Sequence, residues 1–395
     1  MRRALCLLVL LAGACRSVAE YRAPAAADEA AAYAVLVAEG HAGVAPEDEA
    51  LWRSELGSAA LAAGHEDDAF RALHGAARIM GTLESTSREN ARAILGAEST
   101  KTWKGDPHER CMNALYKGLL YWRRGDLDNA SACFKRGLLA DAYSEVGEHQ
   151  RDFAVLSFLL GWVSHLRGKP SQASFSFREA AEINPDNPYF ANPRPDEHNV
   201  LIVADIGVGP TKFADGPGGS IARFGTRPTQ DHGLVVAVDG VPLGQSAPGT
   251  DLLHQATTRG KKVLDGIRHG KAVFKTGTEV AGVIVLNEGL RRGKKEQIWV
   301  GAGLLLLSAL TNANADTRHW SLLPATVHVL PLRIEPGRHT LEVHALGRDR
   351  SPLPGWSRTF EIEVPAGETQ LYYFRTGRRR QIFGLTDDGR AKENR

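Results

Sequence analysis

The chain has 395 residues, 43% of them hydrophobic and 24% charged, with 48 Lys and Arg against 46 Asp and Glu. These proportions describe an ordinary globular chain, exclude the disordered and fibrous classes, and make two domains the natural expectation at this length. The near-neutral total hides an asymmetry: residues 16–200 carry 20 basic against 27 acidic side chains, and residues 201–395 carry 26 against 19. An acidic half therefore precedes a basic half. That fits two halves docked on each other, a basic half that meets an anionic surface, or two solvated surfaces of different composition.

The N-terminus reads MRRALCLLVLLAGAC. Arg2 and Arg3 form a positive start, and the apolar run Ala4 to Leu11 falls far short of the roughly 20 residues that a spanning helix needs. A short apolar core followed by small residues is the pattern of a secretory signal. Two cleavage points compete. A cut after Ser17-Val18-Ala19 would release an ordinary signal peptide. A cut after Ala14 would leave Cys15 first, and Leu11-Ala12-Gly13-Ala14-Cys15 resembles the bacterial lipobox. That resemblance implies a signal peptide over 1–14 and acyl chains on Cys15, which anchor firmly. With Arg16 rather than Asp in second place, it further implies an outer-membrane position facing the periplasm.

Ala26 to Gly40 reads as a helix. Beyond it the first half repeats. Gly57, Gly118 and Gly161 are each followed seven places later by Gly, twelve later by Ala (Ala69, Ala130, Ala173) and sixteen later by Leu73, Phe134 or Phe177. Two helices crossing closely need small residues at the contact, and a turn between them favours Gly. Tyr121 lies on the first helix of the second copy. Pro185 ends the last helix, having no N–H to donate. The pattern resembles the tetratricopeptide repeat, which implies an α-solenoid over 23–190 whose concave face binds peptides or partner helices. A helical scaffold holding the second half is the other reading. The copies stand 61 and 43 residues apart, more than the usual ~34, so a linker such as Gly96 to Pro107 is expected. Of the remaining cysteines, Cys111 and Cys133 could pair in an exported protein. Packing as small buried hydrophobes is the favoured reading.

After Asn192–His198 the pattern turns to strands, giving an α+β chain with a mixed, mainly antiparallel β domain over 198–380, sandwich- or barrel-like. NVLIVADIG reads as a buried strand, and LVVAVDGVPLG as a hairpin turning at Asp239-Gly240. Pro336-Gly337, and Pro365 with Gly367, each separate two alternating segments and read as further hairpins. Inserted helices are expected near 251–269 and 299–311. The second is apolar throughout but only 12 residues long over Trp299–Leu310, which suits a buried core helix. Residues 385–395 read as a flexible tail. NVLIVADIGVGPTK, GTDLLHQATTRGKKVLDGI, NADTRHWSLLPATVHVLPL and IEPGRHTLEV resemble a group of bacterial lipoproteins without an assigned role, which join such helices to such a tail. This resemblance implies an envelope address and no catalytic residue.

Chemistry is sparse. GVGPTK lacks the GxxxxGK[ST] spacing of a phosphate loop, since Phe213 follows Lys212. Ser220 lies outside any GxSxG elbow. No Cys/His spacing suggests a metal, and no cofactor is expected. Asp316, Arg318, His319 and Trp320 form the one polar-aromatic cluster. It reads either as a pinned turn with Trp320 buried and Asp316 holding Arg318, or as a site. Basic clusters at Lys261-Lys262, Arg291–Lys295 and Arg378–Arg380 are not interleaved with aromatics, which argues against nucleic acid. Three functions follow: a non-catalytic envelope lipoprotein whose repeats recruit a protein partner, a binder of envelope glycan or anionic lipid through the basic half, or an enzyme centred on Asp316–His319.

Overall fold

The computed structural model describes residues 26, 28–81, 101–142, 153–216, 219, 221–258, 315–377 and 379–386. Cys15, the segment expected to be helical near 299–311, and the clusters at Lys261-Lys262 and Arg291–Lys295 lie outside the described residues. So does most of the helix expected near 251–269.

The first half is helical. Asp28 caps α1 (Glu29–Glu39) by accepting the Ala31 N–H at 2.8 Å. Three pairs follow: α2 (Glu49–Ala63) with α3 (Glu66–Met80), α4 (Pro107–Arg123) with α5 (Leu127–Ala142), and α6 (Ala154–Leu166) with α7 (Pro170–Ile183). The turns inside the pairs are two or three residues long, so the partners run antiparallel. Each turn holds a Gly at positive φ: Gly64 at 84°, Gly125 at 77° and Gly168 at 66°, a region that a side chain would strain.

Within each pair the helices touch at a glycine. A methyl group on Gly57 would lie 2.6 Å from Leu73 Cγ. On Gly118 it would lie 2.2 Å from Phe134 Cε1, and on Gly161 2.6 Å from Phe177 Cδ1. Ala69, Ala130 and Ala173 are buried beside these contacts. Tyr121 is half-buried and bonds His74 Nε2 at 2.9 Å. Pro185 sits in the exposed turn after α7, before the short α8 (Pro188–Ala191). Of the expected linker, residues 101–107 are described. Trp103 is buried in the core and donates its N–H to the Glu47 carbonyl at 2.7 Å. Cys111 and Cys133 are buried thiols that no disulfide joins.

Among the described residues the second half contains three sheets. The strands are β1 (Val200–Ile206), β2 (Thr211–Asp215), β3 (Ile221–Gly225), β4 (Gly233–Val238), β5 (Val241–Gln245) and β6 (Ala247–Asp251). After the helix α9 (Leu252–Thr258) come β7 (Thr326–Leu332), β8 (Gly337–Leu346), β9 (Pro352–Val364), β10 (Gln370–Gly377) and β11 (Gln381–Leu385). The largest sheet has the order β11-β10-β1-β7-β6, with β1 and β10 parallel. A second has the order β5-β4-β8-β9, and β2 with β3 forms a separate ribbon.

Alternation along β1 explains the layering. Val200, Ile202, Ala204 and Ile206 face a core shared with Val236, Val343 and Ile362 of the four-stranded sheet. Leu201 and Val203 face the helices. The five-stranded sheet is therefore a middle layer, covered on both faces, which is why its central strand is apolar almost without interruption. Helices and middle sheet share one continuous core.

Two expectations are corrected. Pro336-Gly337 and the Pro365–Gly367 turn do not close hairpins. β7 belongs to the five-stranded sheet and β8 to the four-stranded one, and the chain crosses back between β9 and β10. Strands that face each other across a core show the same alternation as hairpin partners, so the pattern alone could not separate the two. The Asp239-Gly240 turn does close a hairpin, with both residues at positive φ, 50° and 80°. The tail boundary also moves. β11 extends the β domain past 380, and Leu385 and Thr386 are each only 4% exposed, because Arg123 reaches both of their carbonyls.

Candidate functional site

The segment from Ala315 to Pro324 has no regular secondary structure and leads into β7. It lies against the helical layer, and polar groups tie it there. Arg318 carries five N–H donors, and five acceptors meet them. Nε and Nη2 fork onto Asp316 at 3.0 and 2.8 Å. Nη1 reaches Asp48 Oδ1 at 2.7 Å and the Glu47 carbonyl at 3.4 Å, and Nη2 also reaches the Lys101 carbonyl at 2.8 Å. Burial disfavours the charge on Arg318, but Asp316 and Asp48 outweigh it and raise its pKa. No donor on this guanidinium is left for a ligand.

The next residues are held equally firmly. Trp320 donates its backbone N–H to Glu109 Oε1 at 2.6 Å and its indole N–H to Ser58 Oγ at 2.7 Å. The Glu55 carboxylate takes the N–H groups of Ser321 and Leu322 at 2.6 and 3.1 Å. His319 is held between its own turn and β2, Nδ1 with the Thr317 carbonyl at 3.0 Å and Nε2 with Thr211 Oγ1 at 3.5 Å. Burial keeps the ring below the ordinary histidine range.

Lys212, on β2, completes this side of the seam. Its Nζ lies 2.7 Å from Asp106, which caps α4 in a box with Glu109. Burial works against the Lys212 ammonium, and Asp106, Asp316 and Glu109 together overcome it, so its pKa rises. Glu109 is pushed up to about 7, first by burial and then by the Asp106 carboxylate. Its oxygens accept the N–H groups of Trp320 and Asp106, so it fixes the turn to the helix start.

A second buried cluster lies deeper. Asp205 of β1 accepts from Tyr116 at 2.5 Å and from Tyr373 at 2.7 Å, with Arg375 Nη1 at 3.5 Å. Burial raises Asp205 above the usual carboxylate range. Arg123 of α4 pairs with Glu66 at 2.6 Å and donates to the carbonyls of Leu371, Leu385 and Thr386. These clusters are structural joints in a closed core. Among the described residues no group of His, Cys, Asp and Glu could hold a metal, and no helix is long and apolar enough to cross a membrane.

The structure thus brings Asp316 and Arg318 together, seats Trp320 against Tyr116 at 5.8 Å between ring centroids, and holds His319 on separate partners. Sequence reasoning missed Asp48, Glu55, Asp106, Glu109, Lys212, Asp205 and Arg123. Two signals were present. Asp106-Pro107-x-Glu109 is a capping box, and single charges inside apolar runs, Asp205 in VLIVADI and Arg375 in LYYFRTG, mark buried pairs. Arg379 and Arg380 are exposed on the turn between β10 and β11. Comparison with protein-family models gives no match, and comparison with curated proteins gives none at a significant level.

Proposed function

We propose that this chain is a non-catalytic scaffold of the bacterial cell envelope, anchored through Cys15. Its tetratricopeptide-like pairs hold a sandwich-like β domain and present their outer face to a protein partner. The supporting observation is what fills the inner face. Helices α2, α4 and α6 are buried along nearly their whole length, α4 and α6 pack on the chain's own middle sheet, and Arg123, Tyr116, Glu55 and Glu109 bond across. The surface that such repeats commonly offer to a partner is taken in cis.

A partner therefore meets the outer helices. Alongside the last pair, a groove of about 530 Å³ runs past Ser174, Phe177, Arg178, Phe190 and Pro193. Beside it Phe175 is 55% exposed, an unusual place for a Phe on a helix. The test is site-specific photo-crosslinking in envelopes, with the probe at Ser174, at Phe175 or at Thr359 on the exposed outer sheet. Adducts to the same protein from 174 and 175, and none from 359, support the reading. No adduct from the α7 positions, or equal adducts from all three, refutes it.

A further inference from the structure

A different groove carries a charge that no carboxylate among the described residues neutralises. It runs along α4, whose residues Arg110, Asn113, Ala114 and Lys117 fall on one face at helical spacing. Walls come from Ala77 and Met80 of α3 and from Cys133, Arg136 and Leu139 of α5, enclosing about 270 Å³. Three of the lining residues are cationic and none is acidic.

Lys117 is the decisive group. The residue is only 6% exposed, yet among the described residues it has no carboxylate partner. Its neighbours are the neutral Cys133 thiol and the Arg136 guanidinium, and burial first, then Arg136, lowers its pKa. The buried Nε of Arg110 likewise lacks a hydrogen-bond acceptor. Buried cations are normally paired, because an unpaired one loses hydration with no return. Here the Lys117 ammonium and the buried Nε of the half-buried Arg110 border the same open space, whose walls are otherwise mostly apolar. Ligand pockets combine a mostly apolar lining with a few convergent polar groups.

We propose that this groove binds a small amphipathic anion, with its carboxylate or phosphate head at Lys117, Arg110 and Arg136 and its apolar body along Ala77, Met80 and Leu139. The reading is independent of the partner surface on α7.

Titration of the mature chain with decanoate and with decyl phosphate, followed by displacement of the amphipathic fluorophore anilinonaphthalene sulfonate, tests it. Decanol supplies the chain alone, and inorganic phosphate the head alone. Both anionic amphiphiles should bind, and both controls should bind at least tenfold more weakly. Whichever amphiphile binds more tightly assigns the head as a carboxylate or a phosphate ester. Lys117→Met should weaken the anions at least tenfold while its urea midpoint stays equal or rises, since it removes an unpaired buried charge. Arg136→Gln, on the exposed rim, keeps the test alive if Lys117→Met does not fold, and should weaken both at least threefold. Unchanged affinity in these variants, equal binding of decanol, or no binding by either amphiphile overturns the proposal.

Discussion

Gly118→Ala offers the sharpest probe of how the helical pairs close. Alanine is worth about 1 kcal/mol more than glycine inside a helix, so on propensity alone the variant is more stable. Steric overlap opposes that gain and exceeds it. The added methyl would lie 2.2 Å from Phe134 Cε1 and 2.7 Å from Cδ1 and Cζ, where ordinary contact begins near 3.4 Å. Phe134 is fully buried, so the ring must retreat by about an ångström into occupied space, and overpacking of this kind costs roughly 3 kcal/mol. The net expectation is a loss of about 2 kcal/mol. Phe134→Leu removes the overlapping ring atoms, so in the double variant most of the steric cost disappears, and the cycle should return a coupling of about 2 kcal/mol. Urea unfolding followed by far-ultraviolet circular dichroism measures all four proteins. A Gly118→Ala variant stabilised by about 1 kcal/mol, with Phe134→Leu simply additive, would show that α4 and α5 do not cross at this glycine.

Other expectations follow from the seam. Arg123→Met leaves Glu66 buried beside three unpaired carbonyls and should cost about 3–5 kcal/mol, with Arg123→Lys recovering less than half because an ammonium cannot fork; urea midpoints decide. Arg318→Lys loses the bidentate pairing with Asp316 and should lower stability by about 2 kcal/mol or more, whereas a change below about 0.5 kcal/mol would mean that the cluster does not hold the halves together. His328 is buried between Ser246 and Thr326, and burial holds its pKa down to about 3 from 6.5. Below pH 6.5 the unfolded chain takes up a proton that the folded chain refuses, so stability is complete above that pH and falls by up to about 1.4 kcal/mol per unit towards pH 3. Between pH 7 and 5 the wild type should therefore lose about 2 kcal/mol more than His328→Leu; equal losses would place the ring in contact with water.

The sequence carried the helical pairs well, because the physics of a close crossing is local: a small residue, a turn glycine and a large residue sixteen positions on must all be present. Strand pairing was less legible. The alternation of β7, β8, β9 and β10 marks which residues face a core, not which sheet each strand joins. The NADTRHW segment stood out, yet its role depended on acids more than two hundred residues earlier, Asp48, Glu55 and Glu109. That dependence also gives the charge asymmetry a physical meaning. Lys212, Arg318 and Arg375 of the basic half lie against Asp106, Asp48 and Glu29 of the acidic half. Composition alone left this docking as one reading among three. The apolar run of β1 marks a buried strand, but only its neighbours show that one face meets helices and the other a second sheet.

A scaffold of this kind requires that helices and middle sheet form one body. Native-state hydrogen exchange read by mass spectrometry tests this most directly, by comparing the slowest amides of α4 with those of β1 and β10. One core and a set of buried hydrogen bonds, Tyr116 to Asp205 and Arg123 to the Leu371 carbonyl, join them, so they should open together, with the same free energy and the same dependence on urea. If α4 exchanges through a lower-energy opening while β1 and β10 remain protected, the helices are an appendage of the β domain and the protein is not a single-body scaffold.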